Sequence, residues 1–163
     1  RRCRHRDGYS VRLWRQLGYE NRQLTKEQFR DDRVDAGEVG AGQSVTALYE
    51  LDFAPDTPAD APIGTVRIRY RDVESNRIME SAAPLPASLI LDRVEALSPS
   101  TLLAACAAEF AEILRGSPFA AEGNLADVAA RLRPVVTTFS LDPRVRELLD
   151  LIEQARSLQN RSP

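Results

Sequence analysis

Leu17-Gly18-Tyr19-Glu20-Asn21-Arg22, then Asp31-Asp32-Arg33-Val34-Asp35-Ala36-Gly37-Glu38-Val39-Gly40-Ala41-Gly42, then Ser44-Val45-Thr46-Ala47-Leu48-Tyr49-Glu50-Leu51, is the stretch whose reading decides the fold. Its last part has the period of a strand. Val45, Ala47, Tyr49, Leu51 and Phe53 alternate with Ser44, Thr46, Glu50 and Asp52, and Leu48 is the one exception. Its middle part is an acidic loop spanning 30–43, punctuated by Gly37, Gly40 and Gly42, three positions free to take positive φ. A loop folded tightly beside a strand needs such local detail, and a solvated linker does not.

Upstream of this stretch, Val11 to Tyr19 predicts another strand. Val11, Leu13, Leu17 and Tyr19 share one face, Arg15 interrupts it, and Trp14 falls on the other face with Arg12 and Gln16. A tryptophan on the polar face reads either as a covered contact or as a lone surface aromatic. Thr25 and Gln28 stand at capping-box spacing, which predicts a single helical turn that Phe29 anchors on the core. Residues 1–10 read as disordered or as the remnant of an upstream strand. Cys3 and His5 make one Cys-x-His pair, and no second pair follows to complete a zinc site.

Downstream, Pro55, Pro58 and Pro62 mark an exposed loop. Val66, Ile68 and Tyr70 then alternate with Thr65, Arg67, Arg69 and Arg71, which predicts a half-buried strand with its arginines toward solvent or an interface. Asp72 to Asn76 turns this strand into a hairpin with Arg77 to Ser81. Pro84 and Pro86, within Ala82 to Ala87, predict the end of the β region, which accordingly covers 11–82.

A three-helix segment is expected over 98–158. The first helix opens at Ser98-Pro99, buries Leu103, Cys106, Phe110, Ile113 and Leu114, and stops at Gly116-Ser117-Pro118. The second opens at Asn124 and carries Leu125, Val128, Leu132, Val135 and Phe139, with Pro134 expected to kink or end it. The third opens at Asp142-Pro143 and carries Val145, Leu148, Leu149, Ile152 and Ala155. The fold class is therefore α+β: an antiparallel layer of about four strands, then three helices.

Three blocks, "LGYENR", "DDRVDAGEVGAGQSVTALYEL" and "FAEILRGSPF", resemble the C-terminal domain of bacterial von Willebrand factor type A domain-containing proteins. The resemblance covers roughly Val11 to Ala155. That domain is one of unknown function, so the resemblance implies an identity and no chemistry. It also implies that an A domain and an N-terminal segment of the parent protein adjoin this chain, and that the setting is extracytoplasmic, in the cell envelope. The Asp-x-Ser-x-Ser sequence of an A domain's metal site does not occur here, so this chain reads as a piece of a longer protein.

Composition narrows the function. A net charge of −2 and a pI near 5.5 argue against a nucleic-acid surface. No apolar run approaches the ~20 residues that span a bilayer, so membrane insertion by this chain is not expected. Cys3 and Cys106 are the only cysteines, and their settings read as two free thiols. His5 is the only histidine, and it lies in the ragged terminus, which argues against Ser-His-Asp or Cys-His catalysis. No phosphate loop of the Gly-x-x-x-x-Gly-Lys type is present. Gly37-x-x-Gly40-x-Gly42 precedes a strand, whereas the dinucleotide fingerprint follows one.

The acidic loop offers Asp31, Asp32, Asp35 and Glu38 as oxygen ligands of the kind calcium takes. The EF-hand pattern fails on both counts: from Asp31 the sixth residue is Ala36 and the twelfth Gly42, and from Asp32 the twelfth is Gln43. The structural reading pairs these carboxylates with Arg22, Arg30 and Arg33. The expectation is a non-catalytic scaffold or interaction domain with no catalytic residue, cofactor or metal site. Two alternatives stand beside it: a cation-dependent binding module using 31–38, and an enzyme of carboxylate chemistry for which no partner residue is in view.

Overall fold

The computed structural model describes residues 3–4, 11–18, 24–25, 27–34, 39–40, 42–54, 57–58 and 60–160, with the backbone alone at 3, 4 and 95. The chain divides into two compact units, Arg1–Ile90 and Leu91–Pro163. The first carries the strands and the second the helices, so the class is α+β.

Among the described residues the first unit contains five strands in two antiparallel sheets: β1 (Cys3–Arg4), β2 (Val11–Leu17), β3 (Leu48–Phe53), β4 (Pro62–Arg71) and β5 (Ile78–Pro86). One sheet has the order β1-β2-β3 and the other is the β4-β5 hairpin. In the first sheet Trp14 lies opposite Leu51, Arg15 opposite Glu50 and Leu17 opposite Leu48. The register shifts between Val11 and Leu13, so Val11 stands opposite Phe53 while Leu13 stands opposite Asp52. A shift of one residue exchanges faces. Val11 therefore joins the face of Trp14, Tyr49, Leu51 and Phe53, and does not share a face with Leu13 as its parity predicts.

The strand expected from Ser44 is shorter than its alternation. Residues 44–47 pair with nothing among the described residues, and Val45 is exposed. The ladder begins at Leu48, where β2 supplies Leu17 as a partner. Arg15, predicted to interrupt an apolar face, is among the most buried side chains of the unit at 5% exposure. Glu50, directly opposite it, accepts from its Nε at 2.6 Å. A guanidinium enters a sheet interior in this way only when a carboxylate comes with it.

The capping box at Thr25 and Gln28 is formed in both directions. The Thr25 N–H donates to Gln28 Oε1 at 2.9 Å, and the Gln28 N–H donates to Thr25 Oγ1 at 3.2 Å. It opens a 3-10 turn over Gln28–Arg30. In the acidic loop Gly42 has positive φ (+77°). Gly40 does not, and Gly37 lies outside the described residues.

The hairpin is longer than predicted. β5 passes Ala82 and continues through Pro84 to Pro86, with Pro84 opposite Thr65 and Pro86 opposite Pro62. The two prolines stand two residues apart, so their nitrogens face the same edge. The ladder to β4 survives because a strand of a two-stranded sheet has an outer edge where no N–H is needed. At the hairpin's tip Asp72 accepts from the Ser75 N–H at 2.8 Å, and Asn76 takes positive φ (54°).

The second unit holds α1 (Pro99–Leu114), α2 (Leu125–Thr138) and α3 (Pro143–Gln159). Each begins at the predicted cap: the side chains of Ser98, Asn124 and Asp142 accept from the N–H groups of Thr101, Ala126 and Arg144. α2 is the central element. Its Leu125, Val128, Ala129, Leu132 and Val135 are buried with Cys106 and Phe110 of α1 and Val145, Leu149 and Ile152 of α3. Pro134 does not end α2, which continues to Thr138. Leu114 was expected in the core and is exposed (60%), because α1 terminates there and Glu112, paired with Arg115, takes the buried position. The end of α1 is a Schellman motif. The Gly116 N–H donates to the Ile113 carbonyl and the Ser117 N–H to the Glu112 carbonyl, with Gly116 at φ +65°.

Candidate interaction surface

The β4-β5 hairpin sorts its side chains completely. On one face lie Val66, Ile68 and Tyr70 with their ladder partners Ala83, Ser81 and Met79. This face carries no charge. On the other lie Arg67, Arg69 and Arg71 with Ala82, Glu80 and Ile78. The alternation itself was predicted, but the burial expected of Val66, Ile68 and Tyr70 is not found. Val66, Ile68, Tyr70 and Met79 are exposed by 45%, 57%, 51% and 45%. On the arginine side Arg69 and Ile78 are half-buried, while Arg67 and Arg71 are exposed.

The reason lies in the segment around Phe29. Arg69 is only 19% exposed at its side chain and pairs with Asp32, and its Nη1 donates to the Phe29 carbonyl at 3.2 Å. Leu24 and Phe29 line two grooves. One, of about 370 Å³, is also lined by Asp31, Asp32, Arg69 and Arg71. The other, of about 760 Å³, adds Trp14, Thr65 and Arg67. Trp14 is half-buried and its ring lies 6.1 Å from that of Tyr49, tilted by 54°. Tyr49 sits diagonally across the ladder, two residues from Trp14's partner Leu51, within the reach expected of aromatic cross-strand neighbours. Trp14 is therefore neither lone nor on a bare polar face.

Of the acidic-loop residues, Asp31 and Asp32 are described, while Asp35, Glu38 and Arg22 lie outside the described residues. Asp31 takes a two-point contact from Arg33, Nε to Oδ1 and Nη2 to Oδ2, both at 3.0 Å. It also accepts from the Arg33 backbone N–H at 3.0 Å. These bonds, the guanidinium first, hold its carboxyl below the usual carboxylate value. Arg33 was among the expected partners. Arg69, the partner of Asp32, was not. It lies 37 residues away, and nothing local in the sequence signals a contact at that separation. Among the described residues no cluster of three or more His, Cys, Asp or Glu side chains could hold a metal ion. Cys106 is a free, buried thiol in the helical core, and its desolvation raises its pKa. Among the described residues no helix is long and apolar enough to cross a membrane.

Over residues 8–158 the chain matches the family described as "Uncharacterized protein YfbK, C-terminal". The chain belongs to this family. Over 41 residues the chain is 56% identical to the uncharacterized protein YfbK of Escherichia coli (strain K12), a match covering 25% of this chain and 7% of that protein. The chain therefore spans well under two thirds of that relative. No solved structure matches. The YfbK C-terminal family is one of unknown function, so the geometry described above has to carry the functional reading.

Proposed function

We propose that this chain is a non-catalytic scaffold or interaction domain, flanking a von Willebrand A domain in a bacterial envelope-associated protein. The observation that carries the reading is the charge-free face of Val66, Ile68, Tyr70, Met79 and Ala83, which stands exposed on a sheet of only two strands. A contiguous apolar face of this kind is the mark of a contact surface. The setting beside an A domain and an N-terminal segment comes from the resemblance of the three sequence blocks. These neighbouring segments of the parent protein are the proposed partners.

The test compares this chain alone with the same chain joined to the segments that precede it in its parent. If the neighbours cover the face, the longer protein binds less of a dye specific for exposed apolar surface and melts higher. The substitution Ile68→Asp should remove both differences. Equal dye binding and equal melting in the two proteins would refute the reading.

A further inference from the structure

The β4-β5 hairpin also has two edges, and they are unequal. Pro84 and Pro86 deny the outer edge of β5 two of its N–H donors. β4 carries no proline after Pro62. Among the described residues no other strand pairs with its outer edge, and no backbone hydrogen bond from another segment reaches it. An intact, unpaired strand edge of this length is a template for another strand.

The side chains flanking that edge specify what kind of strand. On one face an added strand meets Val66, Ile68 and Tyr70. On the other it meets Arg67, Arg69 and Arg71, against which β5 sets Glu80 as its one carboxylate. Arg69 is directed inward to Asp32. Arg67 is half-exposed and reaches Glu80 at 3.4 Å, and Arg71 is exposed and reaches Asn76 at 3.3 Å. A second copy of β4 fits poorly. Antiparallel self-pairing that keeps the apolar faces together sets odd positions opposite odd ones, so in every register centred on 67–71 arginine meets arginine, and like charges directly opposite are destabilising. In the register centred on Val66 the arginines face Ala61, Ile63 and Thr65 and find no carboxylate.

We propose that the outer edge of β4 receives an extended protein segment in which apolar residues alternate with acidic ones. This inference rests on the reading of the chain as an interaction domain and names the chemistry of its partner. The backbone of the added strand completes the ladder, its apolar residues extend the face of Ile68, and its carboxylates lie beside Arg67 and Arg71.

The probe is a capped, dye-labelled heptapeptide alternating Val and Glu, titrated with the full chain and followed by fluorescence anisotropy at low salt. Binding is expected. A Val-Lys peptide should bind at least about tenfold more weakly, as should the Val-Glu peptide to the Arg67→Glu, Arg71→Glu variant. Of two Val-Glu peptides N-methylated at every second residue, one at the valines and one at the glutamates, each keeps its side chains but loses the donors along one edge, so one of the two should also fail to bind. That control leaves the protein unaltered, so it holds even where the double variant misfolds. Binding that ignores peptide charge, or that survives N-methylation in both registers, overturns the inference. So does the absence of binding by the Val-Glu peptide. None of these results affects the dye-binding comparison above, so failure of strand addition and failure of the interaction-domain reading are separately visible.

Discussion

Replacing Leu132 with Ala tests the helical core at its centre. Leu132 lies on α2, is fully buried, and belongs to the cluster that joins α1 to α3. The substitution removes three carbons, worth about 2.4 kcal/mol at ~0.8 kcal/mol for each buried methylene. The cavity left in a packed interior adds to this, for an expected total of about 3–4 kcal/mol. For a domain of this size the melting temperature should fall by roughly 12–30 °C. Leu114→Ala is the control. It is the same chemical change at a side chain that is 60% exposed, where about 0.5 kcal/mol or less is expected. Urea titration followed by far-ultraviolet circular dichroism reads the helices. The fluorescence of Trp14, the only tryptophan, reads the strand unit in the same samples. Equal midpoints for the two leucine variants would refute the assignment of α2 as the central element.

Gly116→Ala should cost about 1–2 kcal/mol, because an added Cβ meets nothing within 4 Å and the penalty is that of positive φ alone. A midpoint unchanged in urea would count against the Schellman end of α1. In acid, Asp31, Asp72 and Asp142 should act together: hydrogen bonds, from Arg33, Ser75 and Arg144 respectively, hold all three carboxyls below their ordinary 3.8. A depressed folded pKa stabilises the fold above the unfolded value, and that contribution disappears as pH falls through the folded one. The melting temperature should therefore drop below about pH 4, and Asp142→Asn, which keeps the cap acceptor but not the charge, should flatten part of that drop. An identical pH profile in the variant would exclude this origin. Millimolar calcium should leave the melting temperature unchanged. A rise of several degrees that the Asp31→Asn, Asp32→Asn variant abolishes would favour the cation-binding alternative.

Much of this architecture is legible in the residues themselves. The starts of all three helices, the end of α1, the capping box at Thr25 and the β4-β5 hairpin rest on interactions that span six residues or fewer, or on a strict period, so the chain states them locally. The core positions of α2 follow for the same reason, since a 3.6-residue stripe leaves no second way to bury itself. The arginine expected to pair with Asp31 is likewise only two residues away.

What tertiary structure decided are the questions local pattern cannot pose. Alternation along β4 separates Val66, Ile68 and Tyr70 from Arg67, Arg69 and Arg71, but it does not say that the apolar set stays exposed while Arg69 is drawn inward. That depended on the Phe29 turn and Asp32 arriving from far back in the chain to engage Arg69. The burial of Arg15 required Glu50 from β3, and the placement of Val11 on the Trp14 face required a register shift that only the partner strand reveals. The single residues with their periods belong to the sequence. Which surfaces remain for a partner is settled only when distant segments meet, because alternation along a strand defines two faces without saying what will cover either.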